Sequence, residues 1–240
     1  MSDKKVMFKV RNLTKEFKIR GKKIGEKPQI LHALSDVSVD IYEGETLGVI
    51  GESGCGKSTF GKCLVQLHKA TAGSVEYEGR NIFELKGNDL KKLKRDIQMV
   101  FQDPFSSLDP RMTAGQLVEE PMIVHKIVTD KAERKKRALE LLQTVGLNVQ
   151  HVHRYPHEFS GGQRQRINIA RALSLTPKLI VCDEPVSALD VSIQAQVLNL
   201  FNQLQRQYHL TYVFISHDLS VIKHISDRIA IMYLGRIVEL

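Results

Sequence analysis

The chain has 240 residues, 42% hydrophobic and 26% charged, which is long enough for a sizeable buried core and too apolar for a disordered chain. Its 35 Lys and Arg against 27 Asp and Glu leave a formal charge of +8, which suits an anionic ligand, a nucleic acid or a membrane surface and decides nothing about fold. No apolar run approaches the roughly 18 residues of a membrane span, no signal-peptide core follows Lys4 and Lys5, and Cys55, Cys63 and Cys182 form no close pair, so a disulfide framework or zinc site is not expected and a reducing cytoplasm is the simplest home.

In chain order, the first predicted strand ends near Phe17, an aromatic that can either stack on a ligand or fill the core. Gly21 to Pro28 reads as a polar, Lys-rich loop. Val37, Val39 and Ile41 alternate with polar residues, the mark of a half-buried strand. Thr46 to Ile50 is a continuous apolar run, as are Leu179 to Cys182, Tyr212 to Ile215 and Ile229 to Met232, and all four are expected to be strands covered on both faces. One predicted helix places Phe60, Cys63, Leu64 and Leu67 on one face, and a later one Val197, Phe201, Leu204 and Tyr208. Strands alternating with amphipathic helices predict an α/β fold.

The stretch from Met112 to His157 is helical in pattern, and residues 103–160 are expected to form a helical subdomain inserted in the α/β core. Asp130 and Glu133 have capping-box spacing, Ala138, Leu141, Leu142 and Val145 make an apolar stripe, and Gly146 can end that helix. The basic run Arg134 to Arg137 lies on the same helix and reads as a solvated face, with an anionic partner as the alternative.

The chemistry concentrates in a few places. Gly51-Glu52-Ser53-Gly54-Cys55-Gly56-Lys57-Ser58 fits the G-x-x-x-x-G-K-[ST] phosphate loop, between a predicted buried strand and an amphipathic helix. Its glycines let backbone N–H groups converge on phosphate oxygens, Lys57 can reach the β- and γ-phosphates, and Ser58 can place a hydroxyl on Mg²⁺. No N-K-x-D guanine reader is present, which favours adenine. The strand Leu179 to Cys182 ends in Asp183 and Glu184, and paired carboxylates at a buried strand end are costly unless they serve a cation or a reaction. Downstream of a phosphate loop, Asp183 would hold Mg²⁺ and Glu184 would polarise an attacking water. His217, after the strand Thr211 to Ser216, and Gln102, after the strand Ile97 to Phe101, can reach the γ-phosphate and the Mg²⁺ or water respectively. Phe159-Ser160-Gly161-Gly162-Gln163 precedes a helix predicted over Arg164 to Leu175, a second anion-binding helix start capped by Ser160. Two such sites make sense if the second serves a neighbouring subunit's nucleotide.

The segment Ser160 to Gln163 resembles the signature of the ATP-binding cassette (ABC) family, and the other landmarks match that family in order. Phe17 matches the A-loop aromatic, Gly51 to Ser58 with Thr59 the Walker A loop, Gln102 the Q-loop, Leu179 to Asp183 the Walker B strand with Glu184 next, Ser187 to Asp190 the D-loop, and His217 the switch histidine. Within the family, Phe101 to Arg111, Arg154 to Phe159 and Val186 to Ile193 resemble the oligopeptide, dipeptide and nickel importers. Phe159 stands where Leu is commoner and Asp109 where Asn is usual; family members generally continue well past a segment like Gly235 to Leu240, with a tail that in some carries an iron–sulfur cluster, so the expectation is either a trimmed tail or a short member.

The resemblance implies a P-loop ATPase core, a mixed and mainly parallel sheet with helices on both faces, over residues 1–240. It implies ATP and Mg²⁺ as cofactors and two ATPase subunits, identical or homologous, facing head to tail. The phosphate loop of one subunit and Ser160, Gly161, Gly162, Gln163 and Asp190 of the other would hold each ATP. Catalysis falls to Glu184, His217 and Gln102, and Mg²⁺ to Ser58, Gln102 and Asp183. The implied partners are membrane-spanning permease subunits and, indirectly, an extracytoplasmic solute-binding protein, which would place the chain on the cytoplasmic face of the membrane. Import of oligopeptides or dipeptides leads; nickel import is the alternative. A non-transport ABC ATPase acting on nucleic acid is a more distant reading, since such chains usually carry two cassettes or zinc-binding cysteines, and no nucleic-acid partner is expected. A nucleotide-gated module without turnover is disfavoured by Glu184 and His217.

Overall fold

The computed structural model describes residues 5–19 and 29–240. The Lys-rich loop expected over Gly21 to Pro28 lies outside the described residues. In chain order the elements are β1 (Val6–Ile19), β2 (Gln29–Tyr42), β3 (Thr46–Gly51), α1 (Lys57–Leu64), β4 (Ala72–Tyr77), β5 (Arg80–Asn81), α2 (Gly87–Asp96), β6 (Ile97–Val100), α3 (Ala114–Val124), α4 (Lys131–Thr144), α5 (Gly161–Leu173), β7 (Leu179–Asp183), α6 (Val191–Tyr208), β8 (Thr211–Ser216), α7 (Leu219–Ile225), β9 (Arg228–Tyr233) and β10 (Arg236–Glu239). No helix among the described residues is long and apolar enough to cross a membrane. The chain forms two compact units, one from the segments up to Leu90 and from Thr211 onward, the other from Lys91–Leu210.

The first unit has two sets of strands. In one, β1 lies between β2 and β4, antiparallel to both, with β5 beyond β4. The predicted alternation of β2 is its burial pattern: Val37, Val39 and Ile41 point into the core. The β1–β2 register slips between Val10 and Leu13, where Asn12 and Asp36 both take positive φ and the Asn12 amide donates to Asp36 Oδ1 at 2.5 Å. In the other set, β3 is flanked by β8 and β9, both parallel to it, and β10 closes antiparallel on β9. Thr46 to Val49 of β3 and all of β8 are buried, as continuous apolar runs require. The fourth run departs from expectation: in β9, Ala230 and Met232 are buried while Ile229 and Ile231 are only half covered, so one of its faces lacks a full packing layer. Helix α7 packs so closely on β3 that a Cβ on Gly48 would lie 2.2 Å from Ser226 Oγ.

Helix α1 is shorter than its apolar pattern. Phe60, Cys63 and Leu64 are buried, but Gln66 turns into the left-handed region and leaves Leu67 56% exposed. The Leu67 N–H bonds back to Lys62 O at 2.9 Å, closing the helix end.

In the second unit, β6 pairs in parallel with β7, Val100 opposite Cys182. Strand β6 ends at Val100, one residue before the predicted end, and Phe101 is already partly exposed. Between β6 and α5 the chain turns through residues 101–113 and then forms α3 and α4; α3, α4 and α5 pack on one another, with Leu117, Val118, Met122, Ala138, Leu142 and Ile167 buried. Asp130 caps α4 by accepting the Glu133 N–H at 2.8 Å. The described bonds hold only this arm of the expected capping box. Val145 is buried and Gly146, at φ 80°, ends the helix. The basic run divides: Lys135 and Lys136 face solvent, Arg134 pairs with Glu119 at 3.3 Å, and Arg137 donates to Thr176 Oγ1. In α6, Val197, Phe201 and Leu204 are buried as expected, whereas Tyr208, in the last turn, is 36% exposed.

Candidate functional site

In the first unit, β3 delivers Gly51 into a tight loop that ends where α1 begins. The loop depends on glycine at Gly56, whose φ is 108° and where a Cβ would lie 2.3 Å from Ala33 O. Gly56 is also the N-cap of α1 and has no side-chain oxygen to offer the first N–H groups of the helix, which leaves them to an anion. Lys57 is 4% exposed, and its ammonium donates to Gly51 O at 2.7 Å and Glu52 O at 2.8 Å. Cys55 Sγ lies 3.9 Å from the same nitrogen, and Cys55 is itself buried. A buried cation held by carbonyl dipoles beside uncapped N–H groups fits a phosphate ligand. Glu52, Ser53 and Gly54 are exposed, and Ser58 and Thr59 are half-buried in the first turn of α1.

Ile50 of β3 stands opposite Ser216 of β8, so Gly51 and His217 leave their strands at the same sheet edge. His217 is exposed. Asp218, beside it, caps α7 through the Ser220 N–H at 2.8 Å, and the Ser220 hydrogen bonds hold its carboxyl below the usual range. Phe17 is half-buried rather than a core residue, with Lys15 Nζ 4.8 Å from its ring centre and the His68 ring edge-on at 5.2 Å. Burial, then the charges of Lys62 and Lys15, push the His68 imidazole below its ordinary pKa.

In the second unit, the parallel pairing of β6 and β7 carries Gln102 and Glu184 out side by side, and Gln102 Nε2 donates to Glu184 Oε2 at 3.0 Å. Asp183 is 4% exposed at the end of β7. Glu184 has φ 46°, a left-handed conformation that costs an L-residue energy and is found where the surroundings fix a functional side chain. The following turn is tied back to it, with the Ser187 hydroxyl donating to Glu184 O at 3.0 Å. Next to Asp183, burial drives the Cys182 thiol well above its ordinary pKa. Asp183 and Gln102 present a carboxylate and an amide oxygen in this unit, hard donors of the kind that Mg²⁺ takes, and Ser58 of the first unit has a hydroxyl of the same character. No group of three His, Cys, Asp or Glu able to hold a metal occurs among the described residues, and Mg²⁺ commonly takes most of its ligands from phosphate and water.

Helix α5 starts at Gly161 under a complete capping box: Ser160 Oγ accepts the Gln163 N–H at 3.3 Å and Gln163 Oε1 accepts the Ser160 N–H at 3.0 Å. The Gln163 amide is thus used within the cap. Gly162 sits against Ile193 of α6, where a Cβ would come within 2.4 Å of Ile193 Cγ2. Phe159 fits its place, 3% exposed with the His151 ring edge-on at 5.6 Å. Asp190, the N-cap of α6, is exposed.

The loop after Gln102 is anchored by residues that sequence reasoning missed. Asn168 accepts from the Ser107 hydroxyl at 3.1 Å, and Arg171 donates to Ser107 O at 2.8 Å while pairing with Glu120 at 3.2 Å. Asn168 and Arg171 are two of six polar residues on α5, so no local signal set them apart. Asp109 pairs with Arg111 through two bonds of 2.9 and 3.1 Å, and that hydrogen bonding holds its carboxyl down to about 2.

A family profile described as "ABC transporter" matches residues 34–187. Among curated proteins, the chain is 57% identical over 209 residues to the "Oligopeptide transport ATP-binding protein OppF" of Bacillus subtilis, covering 87% of this chain and 68% of that one. It is 52% identical over 239 residues to the OppF protein of Escherichia coli, covering 99% of this chain and 72% of that one. Among solved structures, an ATP-binding cassette described as a dimer in a post-hydrolysis state bound to ADP and Pi superposes with a TM-score of 0.84 at 35% identity, covering 97% of both chains. The phosphate loop, the α/β architecture and these likenesses agree, and the chain belongs to the ABC transporter family.

Proposed function

We propose that this chain is the ATP-binding and ATP-hydrolysing subunit that powers an importer of oligopeptides or dipeptides. The observation that carries the reading is the buried ammonium of Lys57, held by the carbonyls of Gly51 and Glu52 at the start of α1. A fixed cation beside uncapped helix N–H groups favours the β- and γ-phosphates of a nucleotide. Gly51, Glu52, Ser53, Gly54, Cys55, Gly56, Ser58 and Thr59 complete the phosphate cradle, and Phe17 stacks on the adenine. Ser58, Gln102 and Asp183 would hold Mg²⁺, which would supply charge neutralisation on the phosphate oxygens.

Glu184 orients the attacking water and takes its proton. Gln102 positions that carboxylate through the 3.0 Å bond, and His217 steadies the γ-phosphate. Phosphoryl transfer asks mainly for positioning and charge stabilisation, which these fixed groups provide. Ser160, Gly161, Gly162, Gln163 and Asp190 face the nucleotide of a second ATPase subunit in a head-to-tail dimer; the dimeric cassette among the structural relatives supports that arrangement. Residues 103–160 act as the inserted helical subdomain and pass closure to membrane-spanning permease subunits, which receive peptide from an extracytoplasmic binding protein. The chain then works as a translocase on the cytoplasmic face of the membrane. The peptide names of the relatives favour peptide over nickel.

The test is uptake in cells that carry this chain with its permease. Labelled oligopeptide should enter with the unaltered chain and not with Lys57→Ala. Uptake of nickel instead, or co-purification with nucleic acid and no membrane protein, would overturn the assignment.

A further inference from the structure

In the second unit, α4, the segment after α5 and the end of α6 line a half-open pocket of about 240 Å³. Its floor is apolar, with Leu141, Leu173 and Leu210 all nearly covered. Its rim carries Arg137 and Glu140 from α4 and the half-exposed Tyr208 from α6. Arg137 and Glu140 are three apart and share a helix face, yet no ion pair joins them among the described residues. Arg137 uses Nη2 to donate to Thr176 Oγ1 at 2.6 Å, which fixes the guanidinium and leaves the rest of its five donors for another partner. Thr176 lies just past α5 at φ 54°, in the left-handed turn that ends the helix, and its N–H bonds back to Leu173 O at 2.9 Å.

A cation and an anion at separate points above an apolar floor are complementary to a zwitterion with an apolar side chain. The volume is below the roughly 300–1,000 Å³ typical of clefts for drug-sized ligands, which limits the ligand to something near an amino acid or a dipeptide. We propose that this pocket binds a zwitterionic amino acid or dipeptide, its carboxylate on Arg137, its ammonium on Glu140 and its apolar side chain over Leu141, Leu173 and Leu210. Neither charged residue belongs to the nucleotide machinery, so the site is separate from it. The choice of peptide-derived ligands over other small zwitterions rests on the peptide-import reading; the charge pattern does not. Occupancy would give the ATPase direct contact with the product of import.

Titration calorimetry and methyl NMR on the whole chain test this with L-leucine, leucyl-leucine and N-acetyl-leucinamide, which carries neither charge. The two zwitterions should bind saturably and shift the methyls of Leu141 and Leu173, and the neutral analogue should bind at least roughly tenfold more weakly. Arg137→Gln and Glu140→Gln should each weaken zwitterion binding by roughly tenfold or more, with nucleotide affinity unchanged as the check on folding. Equal binding of the neutral analogue, wild-type affinity in the folded variants, or no saturable binding would overturn the site. The readout needs no turnover or transport: leucyl-leucine bound by a chain that imports no peptide would sink the transport reading and leave the site standing.

Discussion

If Glu184 is the base that the proposed function makes it, Glu184→Gln should separate the chemistry of this protein from its structure. Glu184 Oε2 accepts from Gln102 Nε2 at 3.0 Å, and the oxygen of a substituted amide can accept the same bond. The contact falls from a charged to a neutral hydrogen bond, a loss of about 1 kcal/mol at most for a partly exposed group. In a chain of 240 residues that moves Tm by only about 2–4 °C. The rate suffers far more, because removing a general base costs about 10²–10⁴-fold, equivalent to about 3–5 kcal/mol of barrier. The variant should therefore melt close to wild type, bind MgATP at least as well, and release phosphate slower by two orders of magnitude or more. Steady-state phosphate release with calorimetric MgATP titration measures both halves. A folded variant that turns over within a few-fold of wild type would remove Glu184 from the base role.

Other outcomes are equally concrete. Gly56→Ala puts a Cβ 2.3 Å from Ala33 O at φ 108°; it should destabilise the first unit by about 1–3 kcal/mol and weaken nucleotide binding, measured by melting and titration. Phe17→Ala should reduce ATP affinity by roughly tenfold through lost stacking and leave free triphosphate binding unchanged; equal loss for both would place Phe17 away from the base. Glu119→Gln removes the charge opposite Arg134, both side chains being 13% exposed at 3.3 Å, but leaves an amide oxygen and the Val128 and Thr129 carbonyls to accept from the guanidinium, and should cost about 1 kcal/mol in denaturant unfolding. Burial pushes the Cys63 thiol from 9.0 up to about 11. Its folded pKa is the higher one, so its contribution is whole below pH 9 and is lost as pH rises towards 11. Wild type should lose about 2 kcal/mol more stability than Cys63→Ala across that window; equal losses would contradict the burial effect.

What could be read from the sequence divides along physical lines. Short-range chemistry was legible: Gly51 to Ser58 forms the loop that its spacing predicts, and Ser160 caps α5. Alternation was legible in β2, because one face meets the core. Composition alone could not separate β9 from β3 and β8, since an apolar run does not say how much of each face other elements cover. Leu67 follows the helical period but lies past a left-handed Gln66 that no local signal announces. Arg137 looked like one more solvated charge until Thr176 was brought to it across 39 positions of sequence. Asn168 and Arg171 were missed because their partner, Ser107, is more than sixty residues away. The bond from Gln102 to Glu184 spans 82 positions and follows only from the register of β6 with β7.

The proposed function rests on Lys57 and its loop holding the phosphates of ATP. Its most direct test is calorimetric titration of MgATP into the whole chain and into Lys57→Ala, with far-ultraviolet circular dichroism to verify the fold. The Lys57 ammonium is buried against Gly51 O and Glu52 O, and charge-assisted contacts from it to phosphate would contribute about 1.5–3 kcal/mol. The unaltered chain should bind MgATP saturably, and the variant should bind it at least roughly tenfold more weakly. A folded variant that binds MgATP as tightly as wild type would contradict the claim.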